Sequence, residues 1–475
     1  PVPPWVGQYL RDHALHALVV VLFVLYPFAY DLLVGQFGLT AETFLLQPRT
    51  MLTVLWLGLF AMSFDFVSGY TGYLSFGHAA FFGIGAYTVV LGYNGQLPLI
   101  PAELPFMTLL LLGGLVAVVA AVLIGLIAFR LSGVYFAMIT LGVSEILFVA
   151  SGNLDVLTPG SKDPSDGVFP GTDGVETFSP ELGVPFVDPL QVELGAFGDT
   201  SILGLDMAPF FTEVNPAIVV SYFAIGGVVL VSYLVMQRII HSPFGRVMIA
   251  ISENEERARA IGYNTFWYKM GAFAISAFFG AIAGGLLVGY RGFVQPSDTF
   301  FFLVTGFALV AAIIGGLKTL AGPLFGYIFL EWVEEFLAPG KGNGGGLQPF
   351  LQENLPDSIL DATISGGLTV NTAIDSFMTG HSEFYAGIIF VLFVLFVPIG
   401  LLGTIRLRLG TRSVAGYVST WLDRVSADPA SPETADASPG PTRTPRSPLG
   451  THADLSIIRT CRAPSRTSTT APARC

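Results

Sequence analysis

The chain is poor in lysine: Lys162, Lys269, Lys318 and Lys341 are all it has. Cysteine is scarcer still, with only Cys461 and Cys475, both near the C-terminal end. The apolar part of the chain therefore has no disulfide framework and no thiol chemistry. Charge of either sign is thin, at 12 % of residues against the roughly 25 % usual in soluble domains. Enzyme signatures are missing too. No G-x-x-x-x-G-K-[ST] phosphate loop occurs, since Gly315-Gly316-Leu317-Lys318-Thr319 lacks the leading glycine spacing. There is no H-E-x-x-H, no Cys/His cluster with metal-ligand spacing and no G-x-S-x-G. These gaps predict a chain that is not an enzyme and holds neither a metal nor a cofactor of its own. No basic patch carries interleaved aromatics, which argues against nucleic acid as a partner.

What fills the space is hydrocarbon. Of 475 residues, 52 % are hydrophobic, and the mean hydropathy is +0.67. The apolar runs are continuous rather than alternating, so the expected fold is all-α: a polytopic helical bundle in the cell membrane, in contact with lipid. Ten spans are predicted, at about 14–33, 50–68, 73–92, 106–129, 134–151, 217–237, 268–290, 300–316, 319–337 and 384–402. The chain begins at Pro1 without Met, as a trimmed start would. Ala14–Tyr30 lacks a following cleavage site and reads as a first span rather than a signal peptide.

Positive residues set the orientation. With both termini cytoplasmic, Arg11, Arg130, Arg238, Arg246, Arg257, Arg259, Lys269, Lys318, Arg406, Arg408 and Arg412 fall inside, and only Arg49 and Arg291 dissent. The organisation is then a short cytoplasmic segment at 1–13, a transmembrane domain at 14–403 and a tail at 404–475. Loops 152–216 and 338–383 lie outside, and 241–267 lies inside. Loop 152–216 is rich in Pro, Gly and Asp, which suggests disorder or a small outer cap. Loop 338–383 opens on a flexible Gly340-Lys341-Gly342-Asn343-Gly344 link with room for one surface helix. The tail turns to Pro, Ser, Thr and Ala from about Ser426 and is disordered on composition. The net charge of −12, with so little lysine, suits a surface bathed in concentrated salt, so a halophilic habitat is expected.

Two stretches carry information about function. In HSPFGRVMIAISENEERARAIGY, Ser242-Pro243 reads as an N-cap followed by Pro at the first helical position. Ser252-Glu253-Asn254-Glu255 reads as a capping box, and Gly262 as the stop. Glu253, Glu255 and Glu256 come early and Arg257 and Arg259 late, matching the helix dipole. This is either a solvated loop helix or a docking element for a soluble partner.

In GYTGYLSFGHAAFFGIGAY, residues 69–87, Gly77, Gly85, Ala79 and Ala86 permit close helix approach. Gly69 and Gly72 can break a helix, which a membrane tolerates only where backbone is buried or lines a cavity. Ser75 and His78 are three apart and would share a helix face. Together with Asp65 and Glu145 they are the candidate residues of a translocation path, since intramembrane polar groups usually face a bundle interior. Tight packing with one hydrogen-bonded histidine is the alternative.

These stretches resemble the LivM-type permeases of ABC importers for branched-chain amino acids, with urea and short-amide permeases as near relatives. Gly69–Tyr87 is similar to the family signature G-Y-x-G-x-L-S-x-G-H/Q-A-A-F-F-G-I-G-A-Y. Ser242–Gly262 is similar to the family loop S-P-F-G-R-x-x-x-A-I-x-E-N-E-x-x-A-x-x-x-G. Arg130–Ala137 and Ile314–Pro323 match two further segments, and the likeness covers about 50–403 apart from the outer insertions. Asp65 stands where relatives usually carry Asn, and Tyr73 where Gln is common.

The resemblance implies transport by alternating access. The expected partners are two cytoplasmic ATPases that bind the ATP, a LivH-like second permease and an outer substrate-binding protein. It makes Glu253–Ile261 a coupling helix, with Glu255, Glu256, Arg257 and Ala258 touching the ATPase. Pro243, Gly245 and Gly262 would fix its angle, with Arg246, Glu253 and Asn254 in the same loop. A stand-alone channel or ion-coupled carrier is the rival; for it, residues 242–262 are dispensable.

Overall fold

The computed structural model describes residues 14–404, apart from 94–96, 98–103, 132, 153–180, 183–191, 196–197, 203–204, 213, 338–345, 361, 366–367, 373, 375–381 and 398–399. The expected segment 1–13 and the tail beyond Thr404 lie outside the described residues, as does most of the acidic loop 152–216.

The chain is a helical bundle, as its apolar runs require. Helix α1 spans Ala14–Phe37, α2 Leu39–Phe44, α3 Pro48–Thr71, α4 Ala79–Tyr93, α5 Phe106–Ala128 and α6 Val134–Gly152. Helix α7 spans Pro216–Ile240, α8 Pro243–Glu253, α9 Glu255–Ala260 and α10 Thr265–Arg291. Then follow α11 Pro296–Thr299, α12 Phe302–Gly315, α13 Gly322–Leu337, α14 Leu347–Asn354, α15 Asp357–Leu360 and α16 Ser382–Phe396. Each expected span contains a helix. Among the described residues seven stretches are long and apolar enough to cross a membrane, and Phe23–Phe37 and Ala79–Tyr93 are shorter apolar helices.

Helix α3 is the axis. Trp56, Phe60, Phe64 and Phe66 on it are fully buried, and it packs on α7, α10, α12 and α13. Helix α10 is the second inner element, against α4 and α5. Their contact depends on residues without bulk. A Cβ on Gly85 would lie 2.0 Å from the Ala281 carbonyl oxygen, and one on Gly284 would lie 1.9 Å from that of Phe82. Backbone meets backbone there, as the small residues of residues 69–87 predict. By contrast α5 and α6 leave Leu115, Val119, Leu123, Ile127, Tyr135, Met138 and Ile146 exposed, an outer surface suited to lipid.

The expected span 73–92 is corrected at its start. Helix α3 ends at Gly72, which takes the left-handed conformation (φ 78°), and α4 begins only at Ala79. Residues 72–78 form a non-helical link. Ser75 and His78 on it are fully buried, so they do not share a helix face. His78 reaches Ser63, eight residues back from Thr71 and so about 12 Å along α3. The link thus runs into the bundle before α4 starts.

Outside the bundle, β1 (Glu181–Leu182) pairs antiparallel with β2 (Val192–Glu193), and β3 (Ser201–Ile202) with β4 (Leu205–Asp206). They form a small cap by the start of α7, where Asp31 of α1 accepts from the backbone N–H groups of Thr212 and Val214. A third ladder pairs β5 (Thr363–Ser365) with β6 (Leu368–Thr369) after α14 and α15.

Gly284→Leu is expected to cost more than the roughly 1–3 kcal/mol of ordinary overpacking, because its Cβ meets backbone that cannot rotate away. Thermal melting of the detergent-solubilised protein is the check, with Gly227→Leu, which has open space at its Cβ, as the tolerated control.

Candidate functional site

The finger between α7 and α10 is built by its caps. Ser242 accepts a hydrogen bond from the Gly245 N–H, and Pro243 opens α8, as the sequence predicts. Gly245 is buried under the Ile240 carbonyl, 2.1 Å from where a Cβ would stand, which fixes the corner between α7 and α8. The predicted capping box does not form. Helix α8 runs on to Glu253, so Ser252 is helical and its hydroxyl donates back to the Ile249 carbonyl (3.0 Å). Asn254 is the cap instead: its Oδ1 accepts from the Arg257 N–H at 2.8 Å. The helix is therefore Glu255–Ala260, shorter than the expected Glu253–Ile261. Gly262 follows it at φ 97°, the left-handed stop the sequence indicated.

The structure divides the predicted docking residues in two. Pro243, Arg246, Glu253, Asn254, Glu256, Arg257 and Gly262 are exposed. Beside them stand Ile261 (69 % exposed) and Trp267 (61 %), large apolar side chains that no sequence pattern singled out. Ala258 is buried against Val247 and Ile251, and Glu255 turns inward. These two contact the protein's own body, because α9 lies with that face on α8 and α10.

Glu255 is the best-connected carboxylate here. Its Oε1 accepts from Lys269 Nζ (2.8 Å), Arg259 (2.8 Å) and the Thr265 hydroxyl (2.9 Å). Its Oε2 accepts from the Tyr73 hydroxyl at 2.6 Å. Lys269, 5 % exposed at its side chain, also donates to the Tyr73 oxygen (2.9 Å) and lies 4.3 Å from the centre of the Tyr73 ring. Burial pushes the Glu255 pKa up. The hydrogen bonds from Lys269, Tyr73 and Thr265 and the charge of Lys269 outweigh it, and the net value falls to about 2. Sequence reasoning missed Tyr73 and Lys269 as a pair; a rare lysine at the root of an apolar span was the available sign.

Of the four path candidates, Ser75 and His78 lie on the link, Asp65 on α3 and Glu145 on α6. His78 sits among Phe60, Phe64 and Phe81, with Nε2 at 3.1 Å from both Ser63 Oγ and Ser276 Oγ. The same hydroxyls lie within hydrogen-bond distance of carbonyls, that of Ser63 against Phe60 and that of Ser276 against Ser63. His78 thus ties α3 to α10, and its Nδ1 is buried without a partner. Ser75 Oγ is likewise buried and unpartnered. Asp65 accepts from the Lys318 N–H (3.2 Å) and, with Tyr70, which accepts from the Leu320 N–H (3.1 Å), holds the turn between α12 and α13. Lys318 is left-handed there (φ 64°). Glu145 lies on α6, next to Ser144, whose hydroxyl donates to the Phe300 carbonyl at 2.7 Å.

A cavity of about 320 Å³ opens elsewhere, between α1, α3, α7 and α13, lined by Phe23, Met51, Leu55, Val229, Leu324 and Phe325 among others. None of the four candidates lines it. Its walls are mostly hydrocarbon, with Tyr26 and Tyr233 among them, and offer no counter-charges to the zwitterion of a free amino acid.

Bundle and finger are those of a multi-pass membrane protein. Comparison with known proteins supplies the family. The family model described as "Branched-chain amino acid transport system / permease component" matches residues 49–354, and the chain belongs to that family. It is 29 % identical over 363 residues to the high-affinity branched-chain amino acid transport system permease protein LivM of Escherichia coli K12, covering 75 % of this chain and 77 % of that one. It is also 29 % identical over 308 residues to the protein of the same name from Salmonella typhimurium LT2, covering 64 % and 67 %. No solved structure matches the chain.

Two outcomes are expected. The folded Glu255 pKa lies below its ordinary 4.5, so its contribution to stability is complete above about 4.5 and is lost as pH falls toward about 2. The difference in melting temperature between the native chain and Glu255→Gln should therefore shrink across that window. Asp65→Asn keeps the acceptor for Lys318 and should be nearly neutral. Asp65→Leu removes the acceptor and should cost roughly 1–2 kcal/mol in the same melts.

Proposed function

We propose that the chain is the membrane subunit of an ABC importer that brings branched-chain amino acids into the cell by alternating access. Its family and the names of both relatives support the substrate class. The remaining parts follow from what a permease of this kind needs. Two cytoplasmic ATPases bind and hydrolyse the ATP, a LivH-like permease completes the membrane path, and an outer binding protein delivers the amino acid. The chain itself binds no cofactor and performs no bond-making step.

The observation that carries the reading is the outward face of the finger. Glu256 and Arg257 on α9, Ile261 just after it and Trp267 at the start of α10 are all exposed, while Glu255 and Ala258 fasten α9 from behind. A solvated loop helix has no need of a multiply hydrogen-bonded anchor such as Glu255. A helix that must transmit displacement does. On this reading α8 and α9 lie on the cytoplasmic side and seat in a groove of the ATPase, whose closure on nucleotide moves them.

Glu256→Lys or Arg257→Glu is expected to abolish uptake and substrate-stimulated ATP hydrolysis in the reconstituted transporter, while the protein stays in the membrane at its normal level. Uptake at the native rate by both variants would remove the proposal in favour of a stand-alone channel or carrier.

A further inference from the structure

Helix α8 packs on α3, α7 and α10, whereas α9 meets the protein through fewer groups, one of which leads to the centre. On α8 and α10, Ala258 rests against Val247 and Ile251, with Tyr268 alongside. The other tie is the Glu255 carboxylate, held by Lys269 at the root of α10 and by Tyr73. Tyr73 directly follows Gly72, the hinge at which α3 ends in a left-handed residue. It is also the first side chain of the non-helical link whose other end, His78, joins Ser63 on α3 to Ser276 on α10. Tyr73 is held on its far side by Phe129 and Phe136, in edge contacts at 5.6 and 5.4 Å. Lys269 is enclosed, Tyr73 is wedged between aromatic rings, and Glu255 joins them to the helix outside.

We propose that Tyr73 and Lys269 are positioning residues of transport: the Glu255–Lys269–Tyr73 cluster is the joint through which displacement of α9 reaches the non-helical link 72–78, whose inner end at His78 is buried. This rests on the reading of α9 as the element an ATPase moves, and it says where that motion goes. The geometry favours a stiff joint over a loose contact. One carboxylate accepts hydrogen bonds at both oxygens, the lysine donates to both other members, and the chain behind the tyrosine leads in five residues to His78. If α9 shifts while the cluster holds, residues 72–78 must follow. If the cluster is cut, α9 keeps its apolar packing through Ala258 but loses its polar tie to Tyr73.

The test uses the whole transporter, with its ATPases, second permease and binding protein, reconstituted in vesicles with leucine as the probe. Two quantities are read: leucine-stimulated ATP hydrolysis, and leucine moved per ATP consumed. Lys269→Met is expected to retain the ATPase subunits on purification and to keep hydrolysing ATP, while leucine moved per ATP falls by about tenfold or more. Tyr73→Phe, which deletes one oxygen and leaves the ring packing, should show a smaller fall of the same kind. Lys269→Arg, which keeps a cation within reach of Glu255, should recover most of the ratio.

An unchanged ratio in both Lys269→Met and Tyr73→Phe would overturn the joint. So would equal loss of hydrolysis and transport in Tyr73→Phe, since that marks a purely structural role. If the native chain neither retains ATPases nor responds to ATP, the fault lies in the proposed function itself, and that outcome is distinct from the other two.

Discussion

A polar backbone group in the middle of a membrane has no water to turn to, and this constraint organises the bundle. Residues 72–78 leave helical geometry, and Ser75, Gly77 and His78 among them are nonetheless buried. They persist because neighbours supply what a helix would have supplied. The Thr305 hydroxyl accepts from the Ala79 N–H, and the Gly77 and His78 carbonyls accept from Ala80 and Phe81. Ser63 and Ser276 occupy the His78 ring. Gly77 admits the Thr140 carbonyl to within 1.8 Å of where a Cβ would be. Helices α3, α4, α6, α10 and α12 each contribute one piece. The link is thus a product of the whole bundle, and the bundle is close-packed around it.

The same economy governs the finger. A short helix such as α9, six residues long, has almost no intrinsic stability in water. Its form comes from Asn254 at one end, Gly262 at the other, Ala258 underneath and the Glu255 carboxylate. Each of these is a contact with the protein rather than with solvent, which leaves the opposite face free. An element built this way presents a surface without spending that surface on its own stability.

Much of this was legible in the sequence, because membrane helices and caps are written locally. The apolar runs located a helix in every expected span, and Ser242, Pro243 and Gly262 marked finger boundaries that the structure keeps. What failed was whatever depends on which side of a helix meets the bundle. Ser252 looked like a cap but was absorbed into α8, since the register of α8 is set by the burial of Val247, Met248 and Ile251. Ser75 and His78 looked like one helix face until Gly72 turned the chain. Glu255 and Glu256 are adjacent and chemically alike, and only packing decides which one turns inward. Lys269 and Tyr73 are 196 residues apart, and nothing in either stretch announces the other.

The two basic partners of Glu255 also differ in their access to ions. The Arg259 side chain is 66 % exposed, and that of Lys269 only 5 %. Mobile counter-ions weaken attraction between charges they can surround, and at molar ionic strength the Debye length shrinks to about 3 Å. The arginine arm would fade in brine. The lysine arm, walled in by Tyr73 and Phe129, would keep most of its strength, so the attachment of α9 is largely indifferent to the osmotic conditions of the cell.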